Sequence, residues 1–143
     1  MHIAASKPLS IDINGLDQEG IGYHQATIRN GRRCSSARAF LDPIKKRANL
    51  NILTGALAEK ILFTGKEASG LSYLVDGASH VANARCEIIL SGGAFNSPQL
   101  LELSGVGQAE RLKNFGIQVI HDLSGVGHDL QDHQIIRMRW RIA

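Results

Sequence analysis

The stretch from Cys86 to Leu103 constrains the fold more than any other part of the chain. Cys86-Glu87-Ile88-Ile89-Leu90-Ser91 has the pattern of a buried strand and runs into Gly92-Gly93-Ala94. Asn96-Ser97-Pro98-Gln99-Leu100-Leu101-Glu102-Leu103 follows with a capping side chain, an early proline and an apolar helical face, which predicts a helix opening at Asn96. A strand that turns into a helix through such small residues exposes main chain rather than side chains at the turn. Without a Cβ in the way, a flat ligand can approach closely. The helix N-terminus adds free N–H groups and the positive end of a dipole. The alternative reading is a tight strand–helix turn packed against core.

Fifteen glycines against three prolines divide the rest into short elements. Ser35-Ser36 before Ala37–Leu41 predicts a short capped helix that stops before Pro43. Leu50–Thr54, Lys60–Thr64 and Gly70–Val75 are strand-length runs separated by Gly55, by Gly65-Lys66 and, after the last, by the turn pair Asp76-Gly77. Residues 50–76 therefore read as an antiparallel β-meander. A second helix is expected over Gln108–Phe115, closed by Gly116, then a strand over Ile117–Leu123. Ile136–Ile142 alternates apolar residues with arginine, so one face of a strand would be buried and the other charged. The fold class is α/β, a mixed α+β arrangement.

Charge is distributed unevenly. Residues 29–47 carry seven bases (Arg29, Arg32, Arg33, Arg38, Lys45, Lys46 and Arg47) against Asp42, although the whole chain is only +3. Such a cluster suits nucleic acid, an anionic cofactor, acidic neighbours in the same fold or simply solvent. Phe40 is the one aromatic residue interleaved with these bases, too few for base stacking, so a nucleic-acid partner is not expected. The two cysteines, Cys34 and Cys86, form neither a C-x-x-C pair nor a disulfide framework. No apolar run reaches the length of a signal peptide or a transmembrane helix, so the expected site is intracellular, in the cytoplasm or at a membrane periphery. His121, His128 and His133 with Asp122, Asp129 and Asp132 are rich in ligand types. Their spacing matches no zinc pattern, and no metal is expected. Cys34 follows basic residues but has no partner base, which favours an inert thiol.

Gly93-Ala94-Phe95-Asn96-Ser97-Pro98-Gln99-Leu100-Leu101-Glu102-Leu103-Ser104-Gly105-Val106-Gly107 resembles, position by position, a signature of the glucose–methanol–choline (GMC) oxidoreductase family. Gly20–Gln25, Asn30–Ser35, Ala37–Leu41, Ala48–Thr54, Lys60–Gly65, Glu87–Ser91 and Gly125–His133 fit the same family in order, most like its choline-dehydrogenase branch. The resemblance implies a two-domain FAD-binding fold and an enzyme that passes hydride from the carbon of a small alcohol to the flavin. It implies that Ala58 holds adenine through main chain, where the family commonly has valine. It also implies that Ser91, Gly92, Gly93 and Ala94 line the cofactor, where the family commonly has alanine at Gly92 or Gly93.

Some of that family's parts do not match here. Gly105-Val-Gly-Gln-Ala-Glu and Gly125-Val-Gly-His-Asp-Leu both miss the last glycine of G-x-G-x-x-G. None of the six histidines sits in the family's catalytic motif, so no catalytic residue is assigned, and Asp132-His133 reads as a structural loop. The resemblance implies an internal segment of such an enzyme. Residues about 30–104 would lie on the FAD-binding side, and about 1–29 and 125–143 towards the substrate domain. The missing N- and C-terminal parts would be its partners, and the isolated chain is expected to be inactive. The competing reading is a truncated, non-catalytic remnant acting as a binding or interaction module.

Overall fold

The structure is a computed structural model, and it describes residues 25–134 together with 12, 14–16, 19, 20, 22, 23 and 136. The chain divides into two units, Met1–Ile52 and Leu53–Ala143.

In the first unit, Asn30 and Gly31 both take left-handed backbone angles, φ 51° and 71°. Two such residues in succession make the turn whose twist matches a hairpin. They join β1 (Ile28–Arg29) to β2 (Arg32–Arg33), with Arg29 opposite Arg32. The short helix expected at Ala37–Leu41 is a single π-turn, closed by the Asp42 amide donating to the Ala37 carbonyl at 2.9 Å. Ser35 Oγ accepts from the Arg38 amide at 3.3 Å at its start, and the turn ends ahead of Pro43, as expected.

The second unit is built on the meander. β3 (Leu57–Thr64), β4 (Glu67–Val75) and β5 (Ala78–Asn83) pair antiparallel in that order. Asp76 (φ 50°) and Gly77 (φ 80°) form the second hairpin turn, where the sequence placed it. The meander itself is displaced along the chain. Leu50–Thr54 is not a strand, and the third strand is Ala78–Asn83. Pairing accounts for the shift: Ala78–Asn83 lies in register with Gly70–Val75 across the tight turn, whereas among the described residues no strand pairs with Leu50–Thr54. Register slips at Glu59 and at Ser69 mark bulges in β3 and β4. Ser69 Oγ donates to the Leu62 carbonyl at 3.2 Å beside the second slip.

The stretch Cys86–Ser91 forms no strand among the described residues and begins with a bend at Cys86, which corrects the expected strand. Its apolar alternation persists, with Ile88 and Leu90 half-buried and Ile89 exposed, but among the described residues no neighbouring strand takes up its ladder groups. α1 runs over Gly93–Leu103, four residues earlier than the sequence suggested, with Gly92 rather than Asn96 as N-cap. Pro98 consequently lies within the helix. It has no N–H for the Ala94 carbonyl four residues back, a loss tolerated because Ala94 is exposed to water.

β6 (Val106–Gly107), α2 (Ala109–Asn114) and β7 (His121–Asp122) complete a small parallel βαβ unit. α2 matches the expected second helix, and Gly116 leaves it at φ 70°. The strand expected over Ile117–Leu123 shrinks to the two residues that find β6. The arginine-alternating run from Ile136 lies outside the described residues except for Ile136 itself. α1 packs against both β3 and β6. Among the described residues, the buried side chains of the unit are Ile61, Ser104, Val106, Leu112 and Val126, with Gly70, Gly105 and Gly107 buried beside them. Among the described residues, no helix is long and apolar enough to cross a membrane.

Candidate functional site

The second unit contains a cavity of about 400 Å³ between the start of β3, the stretch ahead of α1 and one face of α1. Leu57 and Ala58 come from β3 and Leu71 from β4. Ile88 to Gly92 supply one wall, and Asn96, Gln99, Leu100 and Leu103 supply the helix face. The helical contribution follows from the spacing i, i+3, i+4, i+7, which stacks side chains on one side of a helix. Ala58 adjoins the bulge at Glu59.

Ala58, Ser91 and Gly92, singled out from sequence, therefore line one cavity although Ala58 lies more than thirty residues away in the chain. Gly93 lines neither hollow described here. Ala94 faces a second, more open groove of about 750 Å³ on the other side of α1, with Phe95, Glu102, Arg111, Val126 and His128. Sequence reading missed the helical part of the lining, Asn96, Ser97, Gln99, Leu100 and Leu103, and the remainder, Leu57, Leu71 and Ile88 to Leu90. The helical repeat Asn96, Gln99, Leu100, Leu103 carried a signal for the helix face, whereas no local pattern marked Leu57 or Leu71.

The cavity carries no formal charge. Its walls are mainly aliphatic, with Ser91, Asn96, Ser97 and Gln99 as the polar groups. Leu57 is 65% exposed and Ile89 75% exposed, so large apolar side chains stand open at its rim. At the turn, Gly92 sits close against the helix. A Cβ there would lie 3.1 Å from Asn96 Cβ and 3.3 Å from the Ser97 nitrogen. Gly93 stands at φ 85° with open space around the position a Cβ would take. The Gly92 amide is already engaged, donating to Ser97 Oγ at 3.0 Å.

The other side-chain clusters are local. The His133 amide donates to Asp132 Oδ1 at 2.8 Å, which closes that dipeptide on itself. Among the described residues, no group of three or more His, Cys, Asp or Glu side chains is placed to hold a metal ion. Arg29, Arg32, Arg33 and Arg38 are solvent-exposed in the first unit, where Lys45 pairs with Asp42 at 3.2 Å.

A family model described as GMC oxidoreductase matches residues 4–135. Oxygen-dependent choline dehydrogenase of Pseudomonas savastanoi pv. phaseolicola is 52% identical over 134 residues, 92% of this chain and 24% of the relative. The mitochondrial choline dehydrogenase of Homo sapiens is 50% identical over 129 residues, 90% of this chain and 22% of the relative. Among solved structures, formate oxidase superposes with a TM-score of 0.73 at 28% identity, over 83% of this chain and 20% of that one. An FAD-dependent oxidoreductase from Chaetomium thermophilum gives a TM-score of 0.63 at 38% identity, over 65% of this chain and 16% of that one. The chain thus spans about a quarter of the length of the curated relatives it matches.

Proposed function

Since the chain belongs to the GMC oxidoreductase family, we propose that it forms part of the cofactor-binding portion of an FAD-dependent enzyme that oxidises the CH–OH group of a small alcohol. The observation that carries this reading is the convergence of Ala58, Ser91 and Gly92 on one uncharged cavity. Its volume of about 400 Å³ falls in the lower part of the ~300–1,000 Å³ span of small-molecule sites. That is room for one ring system rather than for a whole dinucleotide. Aliphatic walls with a few amide and hydroxyl groups suit a nitrogen-containing aromatic ring, and the lack of lysine or arginine makes them a poor host for phosphate.

In this reading the adenine ring lies between Ala58 and the Ser91–Gly92 wall, held through the Ala58 main chain. Gly93 and Ala94, which the family resemblance also assigns to the cofactor lining, stand next to this wall in the chain and outside the cavity itself. When bound, FAD would supply the hydride acceptor for the alcohol carbon. This chain's own residues bind and orient: the aliphatic walls exclude water from the ring, and Asn96 and Gln99 offer hydrogen bonds to its edge. No residue of this chain is assigned as the catalytic base. Residues about 30–104 belong to the cofactor side, and about 1–29 and 125–143 to the substrate side. Choline is the first alcohol to test, because relatives at 50–52% identity are choline dehydrogenases. An intracellular site, in the cytoplasm or at a membrane periphery, goes with this reading.

The test is equilibrium dialysis of the purified chain against FAD with AMP as competitor, followed by a dye-reduction assay with choline. Weak FAD binding that AMP displaces, without turnover, is the expected result. Absence of binding at millimolar FAD and AMP overturns the cofactor reading of the cavity. A chain that purifies with bound yellow flavin and oxidises choline overturns the assignment of the chain as an inactive part.

A further inference from the structure

Ser97 sits in the second turn of α1, where a serine usually bonds back to the carbonyl four residues earlier. Here its Oγ reaches past that carbonyl and accepts the amide of the N-cap residue, Gly92, at 3.0 Å. The bond folds the Ser91–Gly92 wall of the cavity onto the helix. The close fit of Gly92 against Asn96 Cβ and the Ser97 nitrogen shows how little slack remains there. Ser97 also lines the cavity itself. A hydroxyl that accepts one bond still has its own proton to donate, and among the described residues no hydrogen bond from it is found.

Resting on the cofactor reading above, we propose that Ser97 is the positioning and specificity residue of this cavity. Its oxygen holds the Gly92 wall in place, and its proton is donated to an acceptor on the edge of an uncharged nitrogen-containing aromatic ring. The N–H groups at the start of α1 are therefore not all available to an anion, because the Gly92 amide is spent on Ser97. The cavity selects the ring, not the phosphate.

The experiment is an amide-detected NMR titration of the full 143-residue chain with AMP, and with ribose 5-phosphate as the ring-free control. AMP is expected to shift the amides of Ala58, Ser91 and Gly92, and ribose 5-phosphate to leave them unmoved. Ser97→Thr, which keeps the hydroxyl, should bind AMP within about threefold of wild type. Ser97→Ala and Ser97→Cys should weaken AMP about tenfold, the loss expected for one hydrogen bond. In both of these variants, hydrogen exchange at the Gly92 amide should quicken about tenfold while exchange at Leu112 is unchanged. The cysteine variant preserves side-chain volume, so the comparison survives if Ser97→Ala fails to fold. Equal AMP affinity in wild type and Ser97→Cys overturns the proposal and leaves the cofactor reading standing. A tenfold loss in Ser97→Thr also overturns it. Failure of AMP to perturb the wild-type cavity amides overturns both.

Discussion

Ser104 ties the end of α1 to the edge of the meander: its Oγ accepts the Ile61 amide at 2.8 Å while its own proton goes to the Leu100 carbonyl. Both residues are buried, Ser104 at 1% exposure and Ile61 at 3%. A strand N–H at a buried edge needs a partner, and here the partner comes from a helix terminus forty-three residues away. This contact fixes the helix relative to β3, and so fixes the distance between Ala58 on one wall of the cavity and Asn96 to Leu103 on the other.

Replacing Ser104 by alanine leaves the Ile61 amide buried and unpaired, which costs about 1–3 kcal/mol. Urea unfolding of Ser104→Ala should show a lower midpoint with an unchanged slope. A midpoint equal to wild type would mean that water or a shifted strand replaces the hydroxyl.

Gly105 follows at φ 90°, accepting at its carbonyl the amides of Ile120 at 2.8 Å and His121 at 3.2 Å. A Cβ at this position would collide with the Gln118 carbonyl and lie 2.9 Å from Ile120 Cγ1. Gly105→Ala should therefore destabilise the second unit by about 2–4 kcal/mol, combining left-handed strain with a backbone collision. Gly116→Ala makes the control, since a Cβ there meets nothing within 4 Å and only the strain applies. Thermal unfolding that lowers both variants equally would remove the collision from the account.

Glu102 gives a prediction of the opposite sign. Its Oε2 meets Arg111 at 3.4 Å, but its Oε1 is shielded from solvent and has no hydrogen-bond partner. Arg111 is about half exposed, so solvent screens the pair. Glu102→Leu should change stability by less than about 0.5 kcal/mol or raise it, because it removes a carboxylate oxygen that nothing satisfies. A loss of 2 kcal/mol or more on denaturation would show that the ion pair holds α1 to α2 after all.

Asp122 Oδ1 accepts the amide of Ala109, the first residue of α2, at 3.0 Å. The cap thus comes from β7 rather than from Gln108, which precedes the helix and makes no side-chain cap bond. Asp122→Ala should cost about 0.5–1 kcal/mol, and Asp122→Asn, which keeps an accepting oxygen, a few tenths. Loss of helical circular dichroism in Asp122→Ala but not in Asp122→Asn would be the signature.

Local chemistry was legible in the sequence wherever a backbone angle or a period decided the outcome. Asp76-Gly77 turned a hairpin because those residues tolerate left-handed angles. Gln108–Phe115 made a helix closed by Gly116, whereas α1 opens behind Gly92 and not at the Asn96 cap that the sequence suggested. The ordered motifs were enough to identify the family. Partnership was not legible, because it depends on groups distant in the chain. Cys86–Ser91 has a strand's alternation and, among the described residues, no strand to pair with, while Ala78–Asn83 has a weaker pattern and pairs because Gly70–Val75 lies beside it. Likewise no local rule joins Ala58 to Gly92, Asp122 to Ala109 or Ser104 to Ile61. Those placements exist because burying Ile61, Val106 and Leu112 packs α1 on β3 and β6 and α2 on β6, and only then do the hydroxyl, carboxylate and amide groups meet.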